Sequence, residues 1–169
     1  MRNNKQKGFS LIELLIVVAI ILIIAAIAIP NLLRARIAAN ESSAVASIRT
    51  VNTAEITYQT ANPTTGYTTL SVLGGTGSPC TLSATAACLI DNTLALGTKS
   101  GYLFVATPQL IGVGTVKNAL TVSTIPQNYN QSGVRAFCSN EDAVIRSSNT
   151  ATPAQQITDG GCAGYTVLQ

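Results

Sequence analysis

Hydrophobic and polar positions divide the chain into two materials. Residues 9–29 read FSLIELLIVVAIILIIAAIAI, in which nineteen of 21 are apolar; Ser10 and Glu13 are the exceptions, and residues 14–29 are an unbroken apolar run. A segment apolar all round needs a wholly apolar environment rather than one core face. As a helix it rises about 31 Å, against roughly 30 Å for the hydrocarbon core of a bilayer. Residues 31–61 contain neither Gly nor Pro, and the pattern changes. At about 100° per residue, Leu33, Ile37, Ala44, Ile48, Val51 and Tyr58 fall on one stripe, with Val45 and Ile56 at its edge. Ser42, Ser43, Arg49, Thr50, Thr53, Thr57 and Thr60 lie opposite. This is an amphipathic helix with one face to bury. Glu41 and Glu55 fall within or near the stripe and run against it. Asn62-Pro63, followed by Thr64-Thr65-Gly66, stops the helix. Residues 9–61 are thus expected to form one helix of 53 residues, about 80 Å long. Pro30 removes one of its backbone hydrogen bonds and is expected to bend or loosen it.

From residue 62 the chain turns to Gly, Ser, Thr, Asn and Pro with short β-prone runs. Strands are expected at 101–106 (GYLFVA), 119–124 (ALTVST), 134–138 and 143–146. The last two are joined by a four-residue loop, Ser139-Asn140-Glu141-Asp142. Residues 70–85 read as an irregular connection with room for one helical turn, and Asp159-Gly160-Gly161 reads as a turn. A long helix followed by a run of strands is an α+β pattern. Residues 9–29 would be its spanning half-helix, 30–61 its amphipathic half and 62–169 a β head.

Composition narrows the chemistry. The 169 residues contain no His, which excludes a Ser-His-Asp or Cys-His nucleophile and any His-containing metal site. Gly74-Gly75-Thr76-Gly77 has no following Lys, so no phosphate loop is present. Asp91, Asp142 and Asp159 are scattered and form no calcium loop. Asn140-Glu141-Asp142 reads as a solvated turn. An enzyme is therefore not expected, nor a metal or other cofactor. Only Phe9 and Tyr58 put aromatic rings on the long helix, which leaves no aromatic ladder there. Tyr67, Tyr102, Phe104, Tyr129, Phe137 and Tyr165 read as head core. All four cysteines follow the apolar segment and none forms a C-x-x-C pair, which argues against a zinc ribbon or a thioredoxin-type site. In an exported head they read as two disulfides. Of three connectivities, Cys80–Cys88 with Cys138–Cys162 is favoured because each closes a local loop. Chain entropy gives such loops about 2.5 and 3.5 kcal/mol.

Three readings of the N-terminus compete. A cleaved signal peptide fits Arg2, Lys5 and Lys7 and a small-x-small site at Ala26-Ile27-Ala28, but the apolar run exceeds the usual length of roughly 7–15 residues. A plain single-span anchor fits the length and leaves Glu13 unexplained. In the third reading Glu13 has a partner. A carboxylate in a membrane helix costs several kcal/mol unless neutralised, and residues 9–29 hold no Lys or Arg. A cut between Gly8 and Phe9 would create an α-amine at Phe9, four residues before Glu13 on the same helix face. That amine, on the same chain or a neighbouring subunit, would neutralise Glu13, and the second arrangement makes docking in register a condition of neutralisation. The plainer reading is that Glu13 snorkels to the headgroups.

Lys7-Gly8-Phe9-Ser10-Leu11-Ile12-Glu13, followed by LLIVVAIILIIAAIAIP, closely resembles the N-terminus of type IV prepilins and the related pseudopilins. The resemblance covers residues 1–61. It implies a pilin fold, in which the C-terminal half of the long helix packs on a small antiparallel sheet. It implies that residues 1–8 are a leader removed after Gly8 by a prepilin peptidase, which also N-methylates Phe9. It implies that Glu13 helps dock incoming subunits and that Pro30 is the helix-bending proline. Cys138 and Cys162 resemble the disulfide that bounds the C-terminal loop of many pilins. Lys99-Ser100-Gly101-Tyr102-Leu103-Phe104 and Gly133-Val134-Arg135-Ala136-Phe137 resemble pilin sheet strands, while Ser10 stands where Thr is common. The partners so implied are identical subunits, the peptidase, an inner-membrane assembly platform with its ATPase, and membrane lipid before assembly. The chain would sit in the bacterial inner membrane with its head in the periplasm, and then in an extracellular pilus. The alternatives within the resemblance are a type II secretion pseudopilin and a minor pilin.

The formal charge of +3 changes meaning on this reading. Arg2, Lys5 and Lys7 all belong to the leader, and the remaining 161 residues hold seven basic and seven acidic side chains. The basic excess is then a topology signal, and no nucleic-acid partner is expected from it.

Overall fold

A computed structural model describes residues 9–75, 80–83, 85–149 and 162–168. The leader residues Arg2, Lys5, Lys7 and Gly8 and the expected turn at Asp159 lie outside this set, and so do Thr76 and Gly77. The described chain divides into two compact units, Met1–Ala35 and Arg36–Gln169. Helix α1, Leu11–Ala61, runs through both and contains Pro30. It begins two residues later than expected, with Phe9 and Ser10 outside it. In the first unit its apolar side chains are uncovered: Leu11, Ile12, Ile24, Ile27 and Ile29 are each more than 60% exposed. Among the described residues α1 alone is long and apolar enough to cross a membrane.

In the second unit α1 is followed by the short helices α2 (Leu70–Gly74) and α3 (Asn92–Ala95) and by six strands. These are β1 (Thr98–Lys99), β2 (Tyr102–Gln109), β3 (Ala119–Pro126), β4 (Ala136–Asn140), β5 (Ile145–Ser148) and β6 (Thr166–Val167). They form one antiparallel sheet in sequence order, each strand pairing with the next. The expected α+β pilin fold is therefore observed, with Ala44, Ile48, Val51 and Ala54 of α1 packed into one core with Tyr102, Phe104, Leu120, Val122, Phe137 and Ile145 of the sheet. Full burial of an aliphatic or aromatic side chain of this size contributes about 1.5–3 kcal/mol. Tyr102 and Phe137 are both wholly buried, with ring centroids 6.1 Å apart, and the Tyr102 hydroxyl donates to the Arg135 carbonyl at 3.0 Å. The backbone at Gly133 lies against that ring: a Cβ there would stand 2.0 Å from the Tyr102 hydroxyl oxygen.

Several expectations need correction. The buried face of α1 is Glu41, Ala44, Ser47, Ile48, Val51, Asn52, Ala54 and Glu55, whereas Ile56 is exposed and Tyr58 half-buried. Three of its polar members are bonded by the head: Glu41 by Val134 and Arg135 just before β4, Asn52 by Ser139 of β4, and Glu55 by Thr68. The strand expected at 134–138 is shifted to Ala136–Asn140, and Ser139 pairs with Ile145. Ser139 is buried, and its hydroxyl accepts from Asn52 Nδ2 at 2.9 Å, so it extends the strand instead of opening the loop. Tyr129 is exposed, on a loop where Asn130 has φ 62°. Tyr165 is only half-buried. The helical turn in 70–85 is α2. The two-residue strands β1 and β6 had no expectation.

Both disulfides are local. Cys80 bonds Cys88 with Cα atoms 5.8 Å apart, and Cys138 bonds Cys162 at 5.7 Å. Cys138 is fully buried on β4, so the second bond ties the C-terminal segment to the middle of the sheet.

Candidate assembly site

The N-terminal end of α1 carries the only polar groups of its apolar half. Ser10 precedes the first helical residue, and Glu13 stands three residues on, an S-x-x-E spacing. Glu13 Oε2 accepts from the Ser10 backbone N–H at 2.9 Å, which is the reach-back half of a capping box. The first turn of a helix leaves donors unsatisfied and favours negative charge. The Glu13 carboxylate thus already has a local role on the exposed surface, four residues along the chain from Phe9, which is 83% exposed.

Two other glutamates of α1, both read from sequence as blemishes on an apolar stripe, fix the helix to the head. Glu41 Oε1 accepts from the backbone N–H groups of Val134 and Arg135, each at 3.0 Å. Its Oε2 accepts from the Arg135 guanidinium at 2.8 Å through both Nε and Nη2. That guanidinium also lies 5.4 Å from the centre of the Phe137 ring. Burial pushes the Glu41 carboxyl up, but the two backbone donors and Arg135 outweigh it and hold the group below its ordinary range. Asn40 Nδ2 adds a bond to the Ser132 carbonyl at 2.8 Å.

Glu55 is different. It is wholly buried, and Oε2 accepts one bond, from the Thr68 backbone N–H at 3.0 Å; among the described residues Oε1 has no partner, and neither has Asn52 Oδ1, three residues earlier. Burial therefore dominates and lifts the carboxyl to about 7, against the opposing pull of the Thr68 N–H and the Lys117 charge. The folded head holds a proton that the unfolded chain, titrating near 4.5, has lost. The unfolded state thus binds fewer protons, and stability falls as pH rises through that window. A detergent-solubilised chain is expected to lose about 2–3 kcal/mol of head stability between pH 5 and pH 8. The Glu55→Gln variant should flatten that slope in thermal unfolding monitored by circular dichroism. An unchanged slope would assign it to another group.

Signals for Glu41 and Glu55 existed in the sequence, since a carboxylate on a buried helix face demands a donor. The Glu41 partner was not deducible, because Arg135 lies 94 residues away. Among the described residues no group of three or more His, Cys, Asp or Glu is placed to hold a metal ion.

A helix with an uncovered apolar half, a basket of donors fixing its other half to an antiparallel sheet, and two local disulfides define a pilin-fold protein. The family described as the prokaryotic N-terminal methylation motif matches residues 3–29. The chain is 40% identical over 128 residues to the type IV wide pilus major component PilA4 of Thermus thermophilus, an alignment covering 73% of this chain and 95% of that protein. It is 45% identical over 56 residues to the type IV major pilin protein PilA of Myxococcus xanthus, covering 33% of this chain and 26% of that one. No solved structure matches it. The chain belongs to the type IV pilins. Its relatives are structural subunits of pili.

Proposed function

We propose that this chain is the structural subunit of a surface type IV pilus. It is made with an eight-residue leader, cut between Gly8 and Phe9, and N-methylated on Phe9 by a prepilin peptidase. Residues 9–29 then store it in the inner membrane with the head in the periplasm. Lipid-to-protein transfer supplies little hydrophobic driving force, so close packing and the pairing of Glu13 with a neighbour's Phe9 amine specify the filament arrangement. The chain has no nucleotide-binding loop in its sequence, so an ATPase-driven platform supplies the work of extraction. Pro30, which lacks an N–H, is the point where the helix yields.

The observation that carries this reading is the uncovered apolar half of α1 with its one carboxylate, Glu13, four residues from Phe9. The curated relatives, both named as major pilus subunits, support it. Intact-mass measurement of the membrane form is expected to show loss of residues 1–8 and gain of one methyl group, and electron microscopy to show extracellular fibres containing the chain. An uncut N-terminus, or processed chain with no fibres outside the cell, would sink it.

A further inference from the structure

One buried acid of the head has no place to put a charge. Glu55 is wholly buried and Asn52 is 6% exposed. Three residues apart on α1, they are neighbours on one face. Glu55 Oε1 and Asn52 Oδ1 are both acceptors when the carboxyl is ionised, and neither has a partner among the described residues. A proton on Glu55 Oε1 turns these two orphaned acceptors into a donor and an acceptor. The chain of bonds then continues outward. Asn52 Nδ2 donates to Ser139 Oγ at 2.9 Å, and Ser139 Oγ donates to the Asn140 carbonyl at 3.2 Å. Asn140 ends β4 and starts the turn to β5, and its Oδ1 lies 3.1 Å from Cys162 Sγ.

The same turn walls a small cavity. Asn52, Ile56, Tyr67, Asn140, Glu141 and Ala143 line a space of about 10 Å³, room for about one water and too little to hydrate a carboxylate. Glu55 adjoins it through its neighbours: Asn52 shares its face, Ile56 follows it, and Tyr67 precedes the Thr68 that bonds it. The outer wall is the exposed segment 141–143. Ala143 stands there at φ 56°, a left-handed conformation that a residue with a Cβ holds only at a cost. Few charges face the acid. Lys117 favours its ionisation. Tyr67, whose phenol is pushed up by burial and then by Glu141 and Glu55, brings no positive charge. Asp142 is occupied by Arg146. Glu141, on the exposed wall, adds a second negative charge.

We propose that the β4–β5 turn is a proton-operated lid over Glu55: the protonated acid holds it closed through Asn52, Ser139 and Asn140, and loss of the proton releases it so that water reaches the carboxylate. Opening lets Ala143 leave its left-handed conformation, which offsets part of the cost. Closed, Glu55 keeps its proton up to about 7; open and solvated, it ionises near 4.5. Opening therefore sheds a proton within that window, and its equilibrium rises by up to about tenfold per pH unit before levelling off above the window. The head thus presents one surface around Asn140 and the Cys138–Cys162 bond in acid and another in alkali. The lid belongs to the head alone and does not depend on whether the chain assembles.

The test is hydrogen exchange of the full-length chain in detergent, read by mass spectrometry and corrected for the intrinsic pH dependence of amide exchange. Between about pH 5 and pH 8, amides of residues 139–145 are expected to lose protection by roughly tenfold or more, while those of β2 and β3 stay protected over the same interval. The Glu55→Gln side chain keeps an acceptor for the Thr68 N–H and offers Asn52 Oδ1 a donor that does not titrate, so its turn should stay closed at both pH values. A turn equally protected at both pH values in the unsubstituted chain would overturn the lid, as would a Glu55→Gln chain that loses protection to the same extent. Loss of protection spread evenly over β2, β3 and the turn would also overturn it, and would assign the titration to unfolding of the whole head.

Discussion

The Glu13→Ala chain is expected to reach the membrane at the level of the unsubstituted protein and to give few or no fibres. Insertion is unharmed because the substitution removes the one carboxylate from an otherwise apolar segment, and a carboxylate disfavours insertion. On the proposed assembly mechanism, fibres are expected to fail because the Phe9 amine of a neighbour would lose its counter-charge. Glu13 also accepts the Ser10 N–H, so alanine removes a helix cap as well as a charge. Glu13→Gln separates the two, since its amide oxygen can still accept from Ser10 while the charge is gone. Glu13→Gln is expected to behave as Glu13→Ala in fibre counts by microscopy. Normal fibres from the glutamine variant would reassign Glu13 to helix capping.

Glu41→Ala is expected to cost the head about 3–5 kcal/mol, because it leaves the Val134 and Arg135 N–H groups without an acceptor and the guanidinium without its partner. For a unit of this size that lowers the melting temperature by on the order of 10–15 °C. Arg135 is 41% exposed, so the ion pair itself is screened and the stranded backbone donors carry most of the cost. The Glu41→Gln variant keeps Oε1 for both N–H groups and is expected to lose about 1–2 kcal/mol. Equal losses in the two variants, measured by thermal unfolding in detergent, would show that charge and not backbone satisfaction is the main contribution.

Long, strongly patterned elements were legible in the sequence, and the elements set by distant partners were not. The 16-residue apolar run and the Asn62-Pro63 stop placed α1 to within two residues at its N-terminus. The runs GYLFVA and ALTVST placed β2 and β3, because β-branched and aromatic residues suit a half-buried pleated surface. The β4–β5 hairpin slipped because Ser139 and Asn140 look like turn residues until Asn52 of α1 is seen to bond the serine. Strands β1 and β6 have two residues each, too few for any period to register. Around the assembly site, Glu13 stood out because nothing in its own segment could neutralise it. Glu41 and Glu55 looked like faults in a stripe, and only the folded head shows one to be a clamp and the other a buried acid.

The two ends of the sheet are those same two-residue strands. An unpaired strand edge invites a foreign strand to add to it, and proteins blunt that hazard with short edges and lysine. Here β1 offers two residues, one of them Lys99, which is held by Asp91 at 2.8 Å, and β6 offers two more. In the proposed filament, a head set among identical heads would thus be poorly suited to growing by sheet extension, the route to amyloid. That protection would leave polymer growth to the helix and to side-chain contacts, where register can be specified.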